Sequence, residues 1–259
     1  MTSEDQANSD ATPPLISHLT ELRDRLIRAI GVTLLIFVGL VPFASQLFTF
    51  MAGPLFAHLP ENSSMIATQV ATPFLTPFKL AFMLALFAAM PVWLHQMWAF
   101  VAPGLYKQER RFAVPLIISS LLLFYAGVAF AYFVVFPLVF GFFTSSAPDG
   151  VTVMTDISHY LDFIMTLFFA FGLAFEIPIA TVLVVWAGIT TPAALSAKRP
   201  YILIGVFVIG MLLTPPDIIS QSLLAVPMYL LFELGILFAR MLVPRAKEVE
   251  QQKLDDVSS

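Results

Sequence analysis

Long apolar runs, interrupted mainly by proline and by short charged clusters, constrain this chain more than any other feature. Phe112 to Phe143 contains no charged residue at all. A helix needs about 20 apolar residues to span a bilayer, and several runs reach or exceed that length. The chain is 59% hydrophobic and 12% charged, about half the charge of an ordinary soluble domain. So few charges cannot cover a water-soluble globule of 259 residues. Disorder, collagen and coiled coil fail on composition. A transmembrane barrel would show short alternating segments instead. The expected fold is all-α, a polytopic helical membrane protein.

The runs and their punctuation predict six spans. They cover about Leu22–Leu47, Phe74–Ala99, Phe112–Phe143, Tyr160–Ile189, Tyr201–Leu213 and Asp217–Leu242. The third and fourth exceed the span length and are expected to tilt or kink. The fifth falls short, bounded by Pro200 and by Pro215-Pro216. Twelve of the thirteen basic residues fall on one side of this layout: Arg23, Arg25 and Arg28, Lys107, Arg110 and Arg111, Lys198 and Arg199, and four at the C-terminal end. Basic loops stay inside, so both termini are expected to be cytoplasmic. The exception, Lys79, is expected to snorkel to the outer surface. Pro42, Pro91, Pro137, Pro178 and Pro227 lie within the spans. Each removes a backbone donor and tends to kink its helix. Two readings stay open for them, ordinary tolerance of proline in membranes and a curved, concave bundle.

Several function classes find no support. Cysteine is absent, which removes disulfides and thiolate chemistry. His18, His58, His95 and His159 show no ligand spacing, and no zinc motif, phosphate loop or basic nucleic-acid stripe occurs. No cofactor is expected. The leading stretch is acidic rather than basic, unlike a cleaved signal peptide, so the first span is expected to remain as an anchor.

Chemistry is expected at a few acids. In Ser17-His-Leu-Thr-Glu-Leu-Arg-Asp-Arg-Leu26, Glu21 precedes Arg25 by four residues and Asp24 precedes Arg28 by four. The plain reading is a surface helix with i,i+4 pairs, each contributing about 0.2–0.5 kcal/mol. The sharper reading is an interfacial helix that offers a carboxylate to a cationic partner. Glu109 is the only acid in the loop Ala102–Arg111. Together with Glu21 it makes a pair of carboxylates able to take two guanidinium groups in forked contacts. Glu176 is expected near mid-membrane and Glu233 roughly 10 Å inside the inner boundary, at 1.5 Å rise per residue. Both are read either as helix-to-helix polar contacts or as proton-handling groups. Thr214-Pro-Pro-Asp217 reads as a capping box for the sixth span.

These segments together resemble the TatC family, the multispanning subunit of the twin-arginine protein translocase. The residues that carry the resemblance are His18–Leu26, Met65-Ile-Ala-Thr68, Trp98–Lys107, Glu109-Arg-Arg111, Phe130-Ala-Tyr-Phe133, Phe175-Glu-Ile-Pro178, Lys198-Arg-Pro-Tyr201 and Leu213-Thr-Pro-Pro-Asp217. The resemblance implies a concave bundle of six helices with outer loops forming a cap. It implies a receptor and core scaffold that binds twin-arginine signal peptides in the bacterial inner membrane. With TatA-like and TatB-like small membrane proteins, and in multiple copies, it would move folded proteins using the proton gradient, without being an enzyme. By the same resemblance Glu21, Glu109 and Phe100 bind the signal peptide, and Glu176 lines the concave face. Met211, Thr214 and Gln221 dock the small partners. Pro54, Phe74 and Asp217 support the cap, and Asp217 also shapes the docking region.

The chain accordingly divides into a flexible N-terminus (1–14), a six-helix membrane domain (15–242) and a flexible C-terminal tail (243–259). The short fifth span is expected to thin the bilayer beside it. Two competing functions are a solute or proton-coupled transporter with Glu176 as coupling acid, and an intramembrane enzyme. Solute transport by the chain alone in liposomes, or turnover of a membrane substrate, would reveal either. The lack of internal repeats counts against the transporter.

Overall fold

The computed structural model describes residues 14–58, 66–101, 113–146, 154–214 and 218–242. Among them the chain is helical apart from short connections and one isolated bridge between Ile66 and Asp156. Six apolar segments result, as the runs predict. Four are long enough to cross a membrane unaided, one is a bent pair of helices, and one is short.

The prolines account for most of the irregularities. The first segment passes from α1 (Pro14–Leu40) through a 3-10 turn at Val41–Phe43, which holds Pro42, into α2 (Ala44–His58). The second comprises α3 (Thr72–Ala88) and α4 (Met90–Val101) and bends by 46° between them. Pro91 lies in the first turn of α4 and has no N–H to give the carbonyl of Phe87, four residues earlier. The Tyr125 hydroxyl donates to that carbonyl instead, at 2.9 Å. The bend is therefore built into the packing with its backbone acceptor satisfied.

The third segment joins α5 (Ala113–Phe130) to α6 (Phe136–Ser145) through a π-helical stretch at Ala131–Val135, with Pro137 just inside α6. The fourth joins α7 (Ile157–Ala174) to α8 (Ile177–Trp186), and Pro178 again follows the break. A short helix, α9 (Pro192–Ala197), begins where the Thr191 hydroxyl accepts from the Ala194 N–H. It leads to α10 (Arg199–Leu213), the short fifth segment, and then to α11 (Ile218–Leu242), which continues through Pro227. At 1.5 Å per residue α10 is roughly 22 Å long, short of a hydrocarbon core of about 30 Å.

The core runs between α3, α5 and α7. Phe124, Phe168 and Phe171 are buried there with Leu80 and Phe87, and their rings meet at tilted angles. Small residues set the closest helix approach. A Cβ on Gly235 of α11 would stand 2.9 Å from Thr181 of α8, so that contact requires glycine. Outward positions such as Leu35, Leu212 and Ile218 are exposed and apolar, the surface expected of helices facing lipid. Successive segments reverse direction. Glu21, Gln96, Arg199 and Glu233 therefore lie toward one end of the bundle, and Thr68 and Asp156 toward the other.

Candidate functional site

The first candidate site lies on α1 near its start. Glu21 accepts two bonds on Oε1 from Arg25, from Nε at 3.0 Å and from Nη2 at 2.6 Å. This is the expected i,i+4 pair. It also reaches further, because Arg25 Nη1 donates to Gln96 Oε1 on α4 at 3.3 Å. A second strap runs nearby, where Trp93 Nε1 donates to the Thr33 hydroxyl at 3.0 Å. Helix α1 is thus pinned to α4 one turn before Phe100, which is half-buried. The other expected pair does not form. Asp24 takes Arg23, from Nε at 3.0 Å and Nη2 at 2.9 Å, rather than Arg28. Aspartate is one methylene shorter than glutamate, and its neighbour's long side chain folds back to it. Glu109 lies outside the described residues.

Two further acids lie deeper. Glu176 stands at the break between α7 and α8, and its Oε2 accepts from the Ser120 hydroxyl of α5 at 2.5 Å. Its Oε1 is buried without a hydrogen-bond partner among the described residues. Glu233, half-buried, has a compensating cationic partner. Arg199 grips it with a fork, Nε to Oε1 at 2.7 Å and Nη2 to Oε2 at 2.6 Å, and the Tyr229 hydroxyl donates to Oε1 at 2.7 Å. That contact ties the first residue of α10 to α11.

Two of the expected docking residues, Met211 and Gln221, meet on one face of α10 and α11. Met211 is exposed and Gln221 is half-buried. With Leu203, Ile204, Phe207 and Val208 they line an open apolar groove. Gln221 Nε2 donates across it to the Phe207 carbonyl at 2.6 Å. Thr214, expected as the cap of the sixth span, is buried. It ends α10, with extended backbone and its hydroxyl donating to the Gly210 carbonyl at 3.0 Å. Asp217 and the rest of the expected capping box lie outside the described residues.

The opposite end carries a residue that sequence reading misses. Asp156 caps α7: Oδ1 accepts from the N–H groups of Ser158 at 2.8 Å and His159 at 3.2 Å. Its Oδ2 accepts from Thr68, from the hydroxyl at 2.6 Å and the backbone N–H at 2.9 Å. Backbone bonds between Ile66 and the strand-like pair Thr155 and Ile157 complete the clasp. The Thr68 hydroxyl, then its N–H, then those of His159 and Ser158 hold the Asp156 carboxyl well below the usual carboxylate range. The sequence does carry a signal for the cap, an acid directly before an apolar helical run. Only its distant partner is not legible there.

Lys79, expected to snorkel to the outer surface, pairs with Asp162 of α7. Both side chains stay about half exposed. Pairing between adjacent helices lowers the cost of holding each charge near the membrane. Phe74 is exposed and packs its ring on Phe78 at 5.0 Å. For Pro54 only the helical backbone is described.

Known proteins share both this sequence and this architecture. The family model for Sec-independent protein translocase protein (TatC) matches residues 17–227. A TatC of Azotobacter chroococcum is 61% identical over 89% of this chain and 91% of its own length. That of Haemophilus influenzae is 55% identical over 96% and 98%, and that of Escherichia coli K12 is 57% identical over 93% of each. A crystal structure of a twin arginine translocase receptor, TatC, superimposes with a TM-score of 0.78 at 35% identity, covering 86% of this chain and 98% of that one.

Proposed function

The chain belongs to the TatC family of Sec-independent protein translocase proteins, a family of multi-pass membrane translocase components, and from that premise we propose that it is the signal-peptide receptor and core scaffold of a twin-arginine translocase. In this reading the Glu21 end of the bundle faces the cytoplasm of the bacterial inner membrane, with both termini there. The distribution of basic residues supports that orientation. Glu21 and Glu109 take the two arginines of the signal peptide, and Phe100 packs beside them. Glu176 lines the concave face. Met211, Thr214 and Gln221 dock TatA-like and TatB-like helices, which assemble with this chain in multiple copies and use the proton gradient to move folded cargo. Pro54, Phe74 and Asp217 support the outer cap. The short α10 thins the bilayer beside that docking face, which depth-resolved spin labels would register.

One observation carries the receptor reading. Glu21 already holds a guanidinium through two nitrogens, at the point where α1 is strapped to α4. The site therefore has the charge and geometry that arginine requires. Site-specific crosslinking in membranes tests it. Photoreactive groups beside Glu21 and Glu109 should capture a twin-arginine signal peptide and should not capture its Lys-Lys counterpart. Equal capture of the two peptides would reject the two-carboxylate mechanism.

A further inference from the structure

We propose that Arg25 is a resident guanidinium in the Glu21 site, filling from within the chain the place that a signal-peptide arginine must take, so that recognition is an exchange of one guanidinium for another. The inference rests on the reading of Glu21 as an arginine-binding carboxylate. It adds a specificity-determining residue to that site.

Three features of the contact favour exchange over a fixed strut. The pair sits at a rim: the Glu21 side chain is 37% exposed and that of Arg25 is 21% exposed. An i,i+4 ion pair on a half-exposed helix is weak, so a stronger ligand can displace it. Arg25 also has somewhere to go. Its Nη1 already touches the neutral Gln96 Oε1 on α4, an acceptor that remains when Glu21 is taken. The displaced charge stays hydrogen-bonded at the helix crossing.

The consequence is selectivity. A ligand that competes with a resident guanidinium must match its planar, multiply donating contact. An ammonium presents a compact, strongly hydrated charge and loses that competition. Discrimination between Arg-Arg and Lys-Lys then depends on what already occupies the site as well as on the carboxylate.

The full-length chain in lipid nanodiscs, titrated with synthetic Arg-Arg and Lys-Lys signal peptides, provides the test. Arg25→Gln should leave Arg-Arg binding intact or tighter and strengthen Lys-Lys binding at least threefold, so the ratio of affinities falls. Arg25→Lys keeps the charge and removes the fork, and the ratio should fall there as well. Its conserved charge separates exchange from simple repulsion, and it keeps the test available if Arg25→Gln fails to fold. Weakened Arg-Arg binding with an unchanged ratio would make Arg25 a strut that orients Glu21, and would overturn the proposal. An unchanged ratio with full Arg-Arg binding in both variants would overturn it as well. Glu21→Gln separates this failure from that of the underlying reading. If that variant binds the Arg-Arg peptide normally, Glu21 is not the arginine site and the receptor mechanism itself falls.

Discussion

Asp156 and Glu21 stand at opposite ends of the same bundle, and their carboxylates are treated differently. Asp156 accepts four hydrogen bonds, all from donors fixed by the fold: two N–H groups of its own helix, and the hydroxyl and N–H of Thr68. It is 8% exposed. Glu21 is a third exposed, and its partners include a long side chain from its own helix. Rigid backbone donors make the first carboxylate part of the scaffold. In the proposed reading, a replaceable cation leaves the second open to exchange with a ligand. On that reading these two acids differ in function because their donors differ in how easily they can be exchanged.

The largest expected effect would come from breaking the scaffold side. Asp156→Ala removes all four acceptor contacts and should lower the thermal unfolding midpoint further than Glu21→Ala or Tyr125→Phe. Differential scanning fluorimetry in detergent would read it. An unchanged midpoint would place Asp156 with the exchangeable acids.

On the receptive side, Glu21→Ala should weaken Arg-Arg peptide binding about tenfold, which corresponds to about 1.4 kcal/mol. The unfolding midpoint should barely move, because the lost i,i+4 pair contributes only about 0.2–0.5 kcal/mol. A large loss of stability without loss of binding would reverse the assignment.

Acid sharpens the contrast. Hydrogen bonding lowers the folded-state pKa of Asp156 below its ordinary value of 3.8. Its contribution to stability is therefore complete above that value and is lost as pH falls through the folded pKa. Wild-type stability should decline below about pH 4, and Asp156→Asn should flatten that decline. Urea unfolding at stepped pH measures it.

The smallest expected effect belongs to the bend at Ala89. Tyr125→Phe leaves the Phe87 carbonyl without the donor that replaces the missing Pro91 N–H. It should cost about 1 kcal/mol, with no change in the Arg-to-Lys preference. A changed preference would mean that the bend, as well as the Glu21 strap, sets the peptide site.

Much of this architecture is legible in the sequence. Apolar run length predicts six segments, and the short α10 lies between the prolines that bound it. The prolines mark the 3-10 turn, the bend, the π-helical stretch and the break at Glu176, because a missing N–H has local consequences. What the donors and acceptors pair with is less legible. The i,i+4 rule predicts Glu21–Arg25 correctly but not Asp24–Arg23, where side-chain length decides. It has nothing to offer on Gln96, Thr68 or Asp162, because those partners arrive from other helices or loops. Thr214 reads in the sequence as a start signal for the sixth span, and its hydroxyl also closes the fifth, since threonine serves both ends. The roles proposed for Glu21 and Phe100 come from family resemblance, because a single chain cannot reveal what it recognises.

The most direct test sets the two carboxylates side by side in one experiment. Glu21→Gln and Asp156→Asn, each in nanodiscs, are titrated with the Arg-Arg peptide at a temperature where both remain folded, and each is then melted. Glu21→Gln is expected to lose peptide affinity and keep its melting midpoint, while Asp156→Asn keeps affinity and melts lower. Peptide affinity that survives Glu21→Gln, or that disappears in folded Asp156→Asn, would contradict the division between an exchangeable and a fixed carboxylate.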